Sequence, residues 1–505
     1  MALPIKRVAV IGAGPAGAIT IDALTEEKKF DVIRVFERRE KAGGIWIRDE
    51  KEQPKIPNLR ALIEHRADLP IPIPTQFPTI TSQEPEINGK EHRYTYTPVY
   101  PGMISNIDER IMAYSKEPFP TNIDADSNGV IDPRAPFRQS EGIREWVESL
   151  FNRKGYLHQV EYNTSVEKAE KKGSEWILTL RKSLPGGIHN YWWQETFDAL
   201  VVASGHYSIP RFSEVPGLVE FVENHPGVVE HSKTYRGPEK YRGKRVVTIG
   251  ASVSGTDITR QIATVAKSPV YGSIRGPHRV YGIVPFEHPH IALKPTISRV
   301  STSKNRRTVY FSDGTKLDDV DYIIFGTGFD FSLPFLPSVK IENRRILGIY
   351  QHVFMQDDPT LAFVGAVSAG FTFLVFEWQA VVVARFLAGR IILPPKSAQK
   401  KWEEDRLAVR GDGQPFFKIA PDFEAYFEAL RQLAGDPGPG VPGRRLLKWD
   451  PAWLQIAEQT MKLRIENWKR TSAVAEAQFV EGQTANGQQQ KEPRDTRRTE
   501  RLARL

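Results

Sequence analysis

The sequence Gly12-Ala13-Gly14-Pro15-Ala16-Gly17 interrupts a β-branched run, Arg7 to Ile11, and opens an apolar stretch, Ala18 to Leu24, that reads as a helix. A second short run, Asp31 to Phe36, ends at Glu37. Strand, glycine turn, helix, strand and acid, in that order, make a unit that binds a dinucleotide. Gly12 permits the tight turn, Gly14 lets the backbone approach a pyrophosphate, and Gly17 lets helix and strand pack closely. The free N–H groups at the helix start attract phosphate, and Glu37, 20 residues beyond Gly17, is placed to accept hydrogen bonds from a ribose diol.

The pattern recurs. Arg245 to Ile249 is again an apolar strand, Gly250-Ala251-Ser252-Val253-Ser254-Gly255 again opens a helix, and Pro269 to Ile274 is again a strand, followed by Arg275. Glu37 lies 25 residues after Gly12, and Arg275 lies 25 residues after Gly250, so the spacing gives one position with opposite charge in the two copies. A carboxylate suits the unphosphorylated ribose of FAD, whereas a guanidinium suits the 2′-phosphate of NADP, with Ser273 adding a hydroxyl. Ser252 stands where the second glycine is expected and narrows the backbone approach, so the second fingerprint is the weaker.

These motifs need elements to hold them, and the expected fold is α/β: two Rossmann-like dinucleotide-binding domains, the NADP domain inserted into a discontinuous FAD domain. The boundaries read as 1–212 for the first part of the FAD-binding domain, 213–325 for the NADPH-binding domain, 326–480 for the second part with C-terminal helices, and 481–505 for a disordered polar tail. Within the first part, Pro54 to Pro101 is rich in Pro and Thr with little periodicity and reads as a long ordered excursion over a site. From Thr164 to Ser204, the runs Glu175 to Arg181 and Asp198 to Ala203 read as an antiparallel meander, and Pro210 to Tyr235 as a linker. Asp321 to Phe325 is a buried strand ending in Gly326-Thr327-Gly328. Leu361 to Phe376 is apolar for 16 residues, short of the roughly 20 a bilayer needs, and reads as a strand leading into a core helix.

Composition limits the alternatives. A chain of 505 residues is long enough for several cores, and 40% hydrophobic with 26% charged residues is ordinary for a globular protein. It has no cysteine, which excludes disulfide frameworks, cysteine-ligated metal sites, cysteine nucleophiles and reductases that need a redox cysteine pair. The net charge of +8 is mild and spread, without the basic run or aromatic ladder that tracks nucleic acid, so no nucleic-acid partner is expected. Lys6 and Arg7 before an apolar stretch imitate a secretory signal, but the glycine spacing points to a nucleotide turn, and neither secretion nor membrane anchoring is expected.

In order along the chain come the first glycine turn with Glu37, Gly43-Gly44-Ile45-Trp46, Ser105-Asn106, Gly250 to Asp257, and Phe325-Gly326-Thr327-Gly328-Phe329. In this order the chain resembles the flavin-containing monooxygenases, the soluble fungal branch of class B flavoprotein monooxygenases, over roughly residues 5 to 395. The family's central signature matches at Gly227, His231, Tyr235 and Arg236, with His225 where the family usually has Phe. Its Tyr-Arg ending is similar to that of the classical enzymes rather than of Baeyer–Villiger enzymes, whose signature ends in Trp.

The resemblance implies FAD and NADPH as cofactors, O2 and a small-molecule nucleophile as partners, and transfer of one oxygen atom through a C4a-hydroperoxyflavin to sulfur or nitrogen. It places Asn106 beside flavin and nicotinamide nucleotide, as the catalytic candidate. It places Gly44, Ile45, Trp46 and Ser105 near the flavin, although a tryptophan after a glycine pair also suits plain packing. Ser254, Gly255, Thr256 and Asp257 match the nicotinamide-nucleotide segment, and Thr327 and Gly328 the return to the first domain. Glu377 and Gln379 resemble a Glu-x-Gln element that either lines the substrate cavity or forms hydrogen-bonded core polars. His231 is read as a linker histidine held by a backbone partner, not as a base.

Other activities fit the same two fingerprints: a Baeyer–Villiger monooxygenase, an NADPH oxidase or electron-transfer reductase, or a catalytically silent nucleotide-binding protein. A homodimer is left open. The compartment is read as cytoplasmic, with a peroxisomal alternative because Ala503-Arg504-Leu505 resembles a peroxisomal import address.

Overall fold

A computed structural model of the chain describes residues 4–49, 59–64, 67–82, 94–120, 136–303, 306–368 and 370–485. By internal contacts these fall into two units. The described residues within Met1–Gln53, Arg66–Ile209 and Phe329–Ala457 form one, and those within Pro54–His65, Pro210–Gly328 and Glu458–Leu505 the other. The fold is α/β with two Rossmann-like units, the second interrupting the first in sequence.

The first unit is built on a seven-stranded sheet in the order Ile349–Tyr350, Phe354–Met355, Leu361–Phe363, Ala199–Val202, Arg7–Ile11, Val32–Phe36, Val160–Glu161. From Leu361–Phe363 to Val160–Glu161 every pairing is parallel. Such a sheet is covered on both faces, which is why its strands are continuous apolar runs rather than alternating ones. Successive side chains still point to opposite faces. Val8, Val10, Ala199 and Val201 enter one core with the helices Pro15–Glu26 and Thr372–Leu387, while Ala9, Ile11, Leu200 and Val202 enter another with Leu178, Leu180 and Phe197. Those last three belong to an antiparallel sheet of Thr79–Ser82, His189–Phe197, Glu175–Ser183 and Thr164–Lys172.

The second unit carries a parallel five-stranded sheet, Val229–His231, Tyr322–Phe325, Val246–Ile249, Val270–Ser273 and Ile291–Lys294, with the helix Val253–Ala263 after the third of these. A three-stranded antiparallel sheet, Ile297–Ser303, Arg306–Phe311 and Lys316–Leu317, follows. The helix Ala452–Ala485 ends the described chain, and from Glu458 onward it belongs to this unit.

Several sequence expectations are corrected. Asp198 to Ala203 is not part of the meander: Ala199–Val202 pairs in parallel with Arg7–Ile11, since a four-residue apolar run carries no sign of its partner's direction. Pro210 to Tyr235 is not a bare linker, because it holds the helix Leu218–Asn224 and the edge strand Val229–His231. In the excursion Pro54 to Pro101, the described residues include a short helix, Leu59–Ile63, and the strand Thr79–Ser82. The tail read as disordered from 481 is helical to Ala485, while its remainder, with Ala503-Arg504-Leu505, lies outside the described residues. The apolar stretch Leu361 to Phe376 is the strand Leu361–Phe363 and the start of the buried helix Thr372–Leu387, and no described helix is long and apolar enough to cross a membrane.

Candidate functional site

The two glycine turns share one design. The Gly12 N–H donates to Phe36 O at 2.8 Å and the Gly250 N–H to Ser273 O at 3.0 Å, each tying the turn to the next strand. Gly12 has φ +105° and Gly250 φ +120°, a region that favours glycine, and a Cβ on either would meet a neighbouring carbonyl, Ala203 O at 2.8 Å or Gly326 O at 2.6 Å. A Cβ on Gly17 would lie 1.9 Å from Gly12 O, and one on Gly255 2.3 Å from Gly250 O, so each helix packs directly on its own turn. Helices Pro15–Glu26 and Val253–Ala263 therefore present their first amides at the carboxyl ends of parallel strands, where the helix dipole favours an anion.

Around the first turn, Gly43 N–H donates to Ala13 O at 3.0 Å, folding Gly44–Trp46 against the fingerprint, with Gly14 and Gly44 in backbone contact. Trp46 is half-buried with Ile45 and packs edge-on against Phe373, centroids 6.4 Å apart. Phe373 stacks on Trp146, and Tyr114, stacked on the same indole, donates its hydroxyl to Pro15 O at 2.5 Å. This aromatic stack fixes the first residue of the helix.

Glu37 is buried. It accepts hydrogen bonds from Ala13 N at 2.7 Å and Arg39 N at 2.9 Å, and burial raises its pKa above the usual carboxylate value. Two of its roughly four lone-pair positions are thus taken by the protein, which leaves capacity for a ribose diol.

A second polar group in this unit suits a ligand hydroxyl. His206 lies just past the strand Ala199–Val202, its ring bonded to the backbone of Gly365 and packed at a tilt against Tyr207 and Phe331, centroids 4.3 and 4.8 Å away. Gly365 is itself close to Ala16 of the fingerprint helix. His206 Nδ1 is buried and has no hydrogen-bond partner among the described residues. With the other ring nitrogen donating to a carbonyl, Nδ1 is an acceptor lacking a donor, and burial lowers the ring pKa to about 4, which keeps that lone pair free at neutral pH. A hydroxyl-bearing dinucleotide beside this turn fits both groups. No local motif marks His206 in the sequence.

Ser105 leads into a bend at Asn106 and Ile107, outside any element. Ser105 is buried, its hydroxyl donating to Ile107 O at 2.9 Å and accepting from Arg138 N at 3.0 Å. Asn106 beside it is exposed, with an amide that has no partner among the described residues. Ser105 thus shapes the bend and Asn106 is presented by it.

The second turn departs from the spacing argument in one respect. Ile11 pairs with Phe36, but Ile249 pairs with Ser273, so the second copy is one residue shorter between turn and strand end. The counterpart of Glu37 is Ile274, and Arg275 stands one position further out, exposed and without a partner among the described residues. Ser273 is buried and its hydroxyl donates to Pro295 O at 2.8 Å, so it closes a loop rather than offering that proton to a ligand. Ser252 is the exposed N-cap without a side-chain cap bond, and Ser254 is half-exposed. Thr256 is buried and back-bonds to Val253 O at 2.9 Å. Asp257 pairs with Arg464 at 3.3 Å. Thr327 donates to Arg211 O, and Gly328 O accepts from Arg211 N at 3.0 Å and His231 Nε2 at 2.9 Å.

His231 is fully buried, Nδ1 accepting from Lys233 N at 3.1 Å and Nε2 donating to Gly328 O, and burial lowers its pKa to about 3. The ring is neutral with both nitrogens engaged, which suits the backbone-held reading. In the same signature, Tyr235 donates to Gln261 Oε1 at 2.9 Å, Arg236 holds the Lys233 and Tyr235 carbonyls, and His225 ends a helix against Phe221. Of the two readings for Glu377 and Gln379, the core one holds. Glu377 accepts from Ser115 N and Oγ and pairs with buried Arg444 at 2.6 Å, while Gln379 bridges Gly365 N and Tyr426. Neither lines an open surface.

Comparison with known proteins agrees with this geometry. The family model described as FMO-like, flavin-binding monooxygenase-like, matches residues 88–285 and 288–432. The chain is 30% identical over 409 residues to the flavin-containing monooxygenase FMO GS-OX-like 7 of Arabidopsis thaliana, covering 80% of this chain and 77% of that protein. It is 26% identical to the flavin-containing monooxygenase ustF2 of Aspergillus flavus, covering 90% and 96%. Among solved structures, an S-allyl-L-cysteine S-oxygenase from Allium sativum shares the fold, with TM-score 0.71, 24% identity and coverage of 95% and 100%. The chain therefore belongs to the flavin-binding monooxygenase-like family and is a flavin-dependent oxidoreductase.

Proposed function

We propose that the first unit seats FAD, the second seats NADPH, and the enzyme transfers one oxygen atom from O2 to a soft sulfur or nitrogen nucleophile of a small molecule. The observation that carries this reading is the contrast beyond two turns of one design: a buried carboxylate, Glu37, after the first, and after the second an exposed guanidinium, Arg275, without a partner among the described residues. A carboxylate suits a diol and repels phosphate, whereas a guanidinium takes phosphate in a bidentate grip. Arg275 serves the 2′-phosphate equally well one residue beyond the strict repeat position, since a long exposed side chain spans that offset.

When bound, the two cofactors supply hydride transfer and O2 activation, which free side chains lack. The chain's part is to bind and to orient. The turns at Gly12 to Gly17 and Gly250 to Gly255 hold pyrophosphates at helix starts, Glu37 and His206 accept hydroxyls, and Arg275 selects NADPH. Asn106 offers an amide that donates and accepts without an acidic proton. Neutral His231 likewise holds no labile proton near neutral pH. The reaction balances as one NADPH, one proton, one O2 and one substrate molecule giving NADP+, water and the substrate carrying one added oxygen. The Tyr235-Arg236 ending of the signature favours sulfur or nitrogen over ketone substrates.

Under 18O2, a thioether or tertiary amine is expected to gain one labelled oxygen per NADPH consumed. Hydrogen peroxide equal to the NADPH consumed, with no labelled product, would overturn this in favour of an oxidase, and an ester formed from a ketone would favour Baeyer–Villiger chemistry. Arg275→Ala should raise KM for NADPH at least about tenfold and leave KM for NADH nearly unchanged.

A further inference from the structure

Asp257 lies on the helix Val253–Ala263, five residues after its N-cap Ser252. A carboxylate a turn and a half into a helix whose first amides face a pyrophosphate opposes the ligand's charge. This one is largely buried, with its side chain 25% exposed, so water screens it poorly. A guanidinium from a distant part of the sequence meets it. Arg464, on the helix Ala452–Ala485 and 9% exposed, places Nη2 3.3 Å from Asp257 Oδ1 and lies over the Trp468 ring.

The same helix is held along its length. Arg260, one turn after Asp257, donates to Trp468 O at 3.1 Å, Thr471 Oγ1 at 2.7 Å and Ser472 Oγ at 3.2 Å, while its other terminal nitrogen reaches Pro285 O at 3.1 Å. Tyr281 packs edge-on against Trp468, centroids 4.9 Å apart. The last helix is thus built into this unit, and among the described residues its ion pair to the fingerprint helix falls on Asp257, a carboxylate in that helix's second turn.

We infer that Arg464 is a positioning residue for the nicotinamide dinucleotide: it neutralises Asp257, so that the start of the helix Val253–Ala263 presents a net positive field to the pyrophosphate. The inference rests on the assignment of NADPH to this unit. It concerns the pyrophosphate, so it acts on NADPH and NADH alike, whereas Arg275 separates them.

The test is titration of NADP+ into the full-length, FAD-loaded protein. Arg464→Gln should raise Kd roughly tenfold, and the double variant Asp257→Asn/Arg464→Gln should return it to within about twofold of the parent, because the charge left uncovered is gone. Lys462→Gln, an equal charge change at an exposed site on the same helix, should leave Kd unchanged. An unchanged Kd in Arg464→Gln, or a loss that the double variant does not rescue, overturns the inference, the second result marking Arg464 as merely structural. If Arg275→Ala abolishes NADPH preference while Arg464→Gln binds normally, this inference alone fails. If neither variant affects binding, the assignment of the unit fails with it.

Discussion

At the residue scale, His206 and His231 show how one side chain serves opposite ends. His231 has both ring nitrogens engaged within the protein, whereas His206 keeps one acceptor unmatched among the described residues, beside the first glycine turn. Replacing His206 by Phe keeps an aromatic ring between Tyr207 and Phe331 and removes the acceptor. FAD should then dissociate about fivefold more readily, the worth of one hydrogen bond of about 1 kcal/mol, while the flavin-free protein loses only the ring's bond to the Gly365 backbone, about 1 kcal/mol by denaturant titration. His231 carries a pH signature. Its folded pKa of about 3 lies below the 6.5 of the unfolded chain, so the unfolded state binds the extra proton. Stability is full above pH 6.5 and falls as pH drops toward 3, with a slope of up to about 1.4 kcal/mol per pH unit for this ring. His231→Gln should flatten the acid limb of chemical denaturation measured across that window. His231 was legible as a backbone-held histidine, whereas nothing in the sequence marked His206, whose neighbours Phe331 and Gly365 lie more than a hundred residues further along the chain.

Among elements, the glycine turns were the most legible part of the molecule, because their constraint is local: a turn, a close contact and a helix start within six residues. Gly17→Ala puts a methyl carbon 1.9 Å from Gly12 O, and nothing there can yield except backbone. It should cost about 3 kcal/mol or more, seen as a lower denaturation midpoint, with loss of bound flavin. The register of the second copy was less legible. Equal spacing to Glu37 and Arg275 suggested equivalence, but pairing of Ile249 with Ser273 moves Arg275 out by one. Residue counts carry no record of where a strand stops pairing. The strand Val229–His231 escaped notice for a similar reason, as three residues are too few to show a period.

For the whole molecule, the largest feature hidden from the sequence is a buried charge network in the first unit. Arg444, fully buried, pairs with Asp22 and Glu377 at 2.6 Å each, and Asp22 also meets Lys154 at 2.7 Å. The partners lie 67 to 422 residues apart, so no spacing announces them. They pin a segment near the end of the unit to the helix that starts at the first glycine turn. Arg444→Met leaves Glu377 buried without its cation and Asp22 with Lys154 as its cation, and should destabilise the unit by about 3–5 kcal/mol by denaturant titration. Substituting all three residues by apolar groups of similar volume should recover most of that loss.

The interrupted order of the first unit also bears on synthesis. Its sheet has Arg7–Ile11, Val32–Phe36 and Ala199–Val202 early, but the strand Leu361–Phe363 and the helix Thr372–Leu387 that cover it leave the ribosome only after residues 210–328. Nascent protein must therefore keep an apolar half-sheet shielded while the inserted strands emerge, and chaperone demand during translation should peak over that interval.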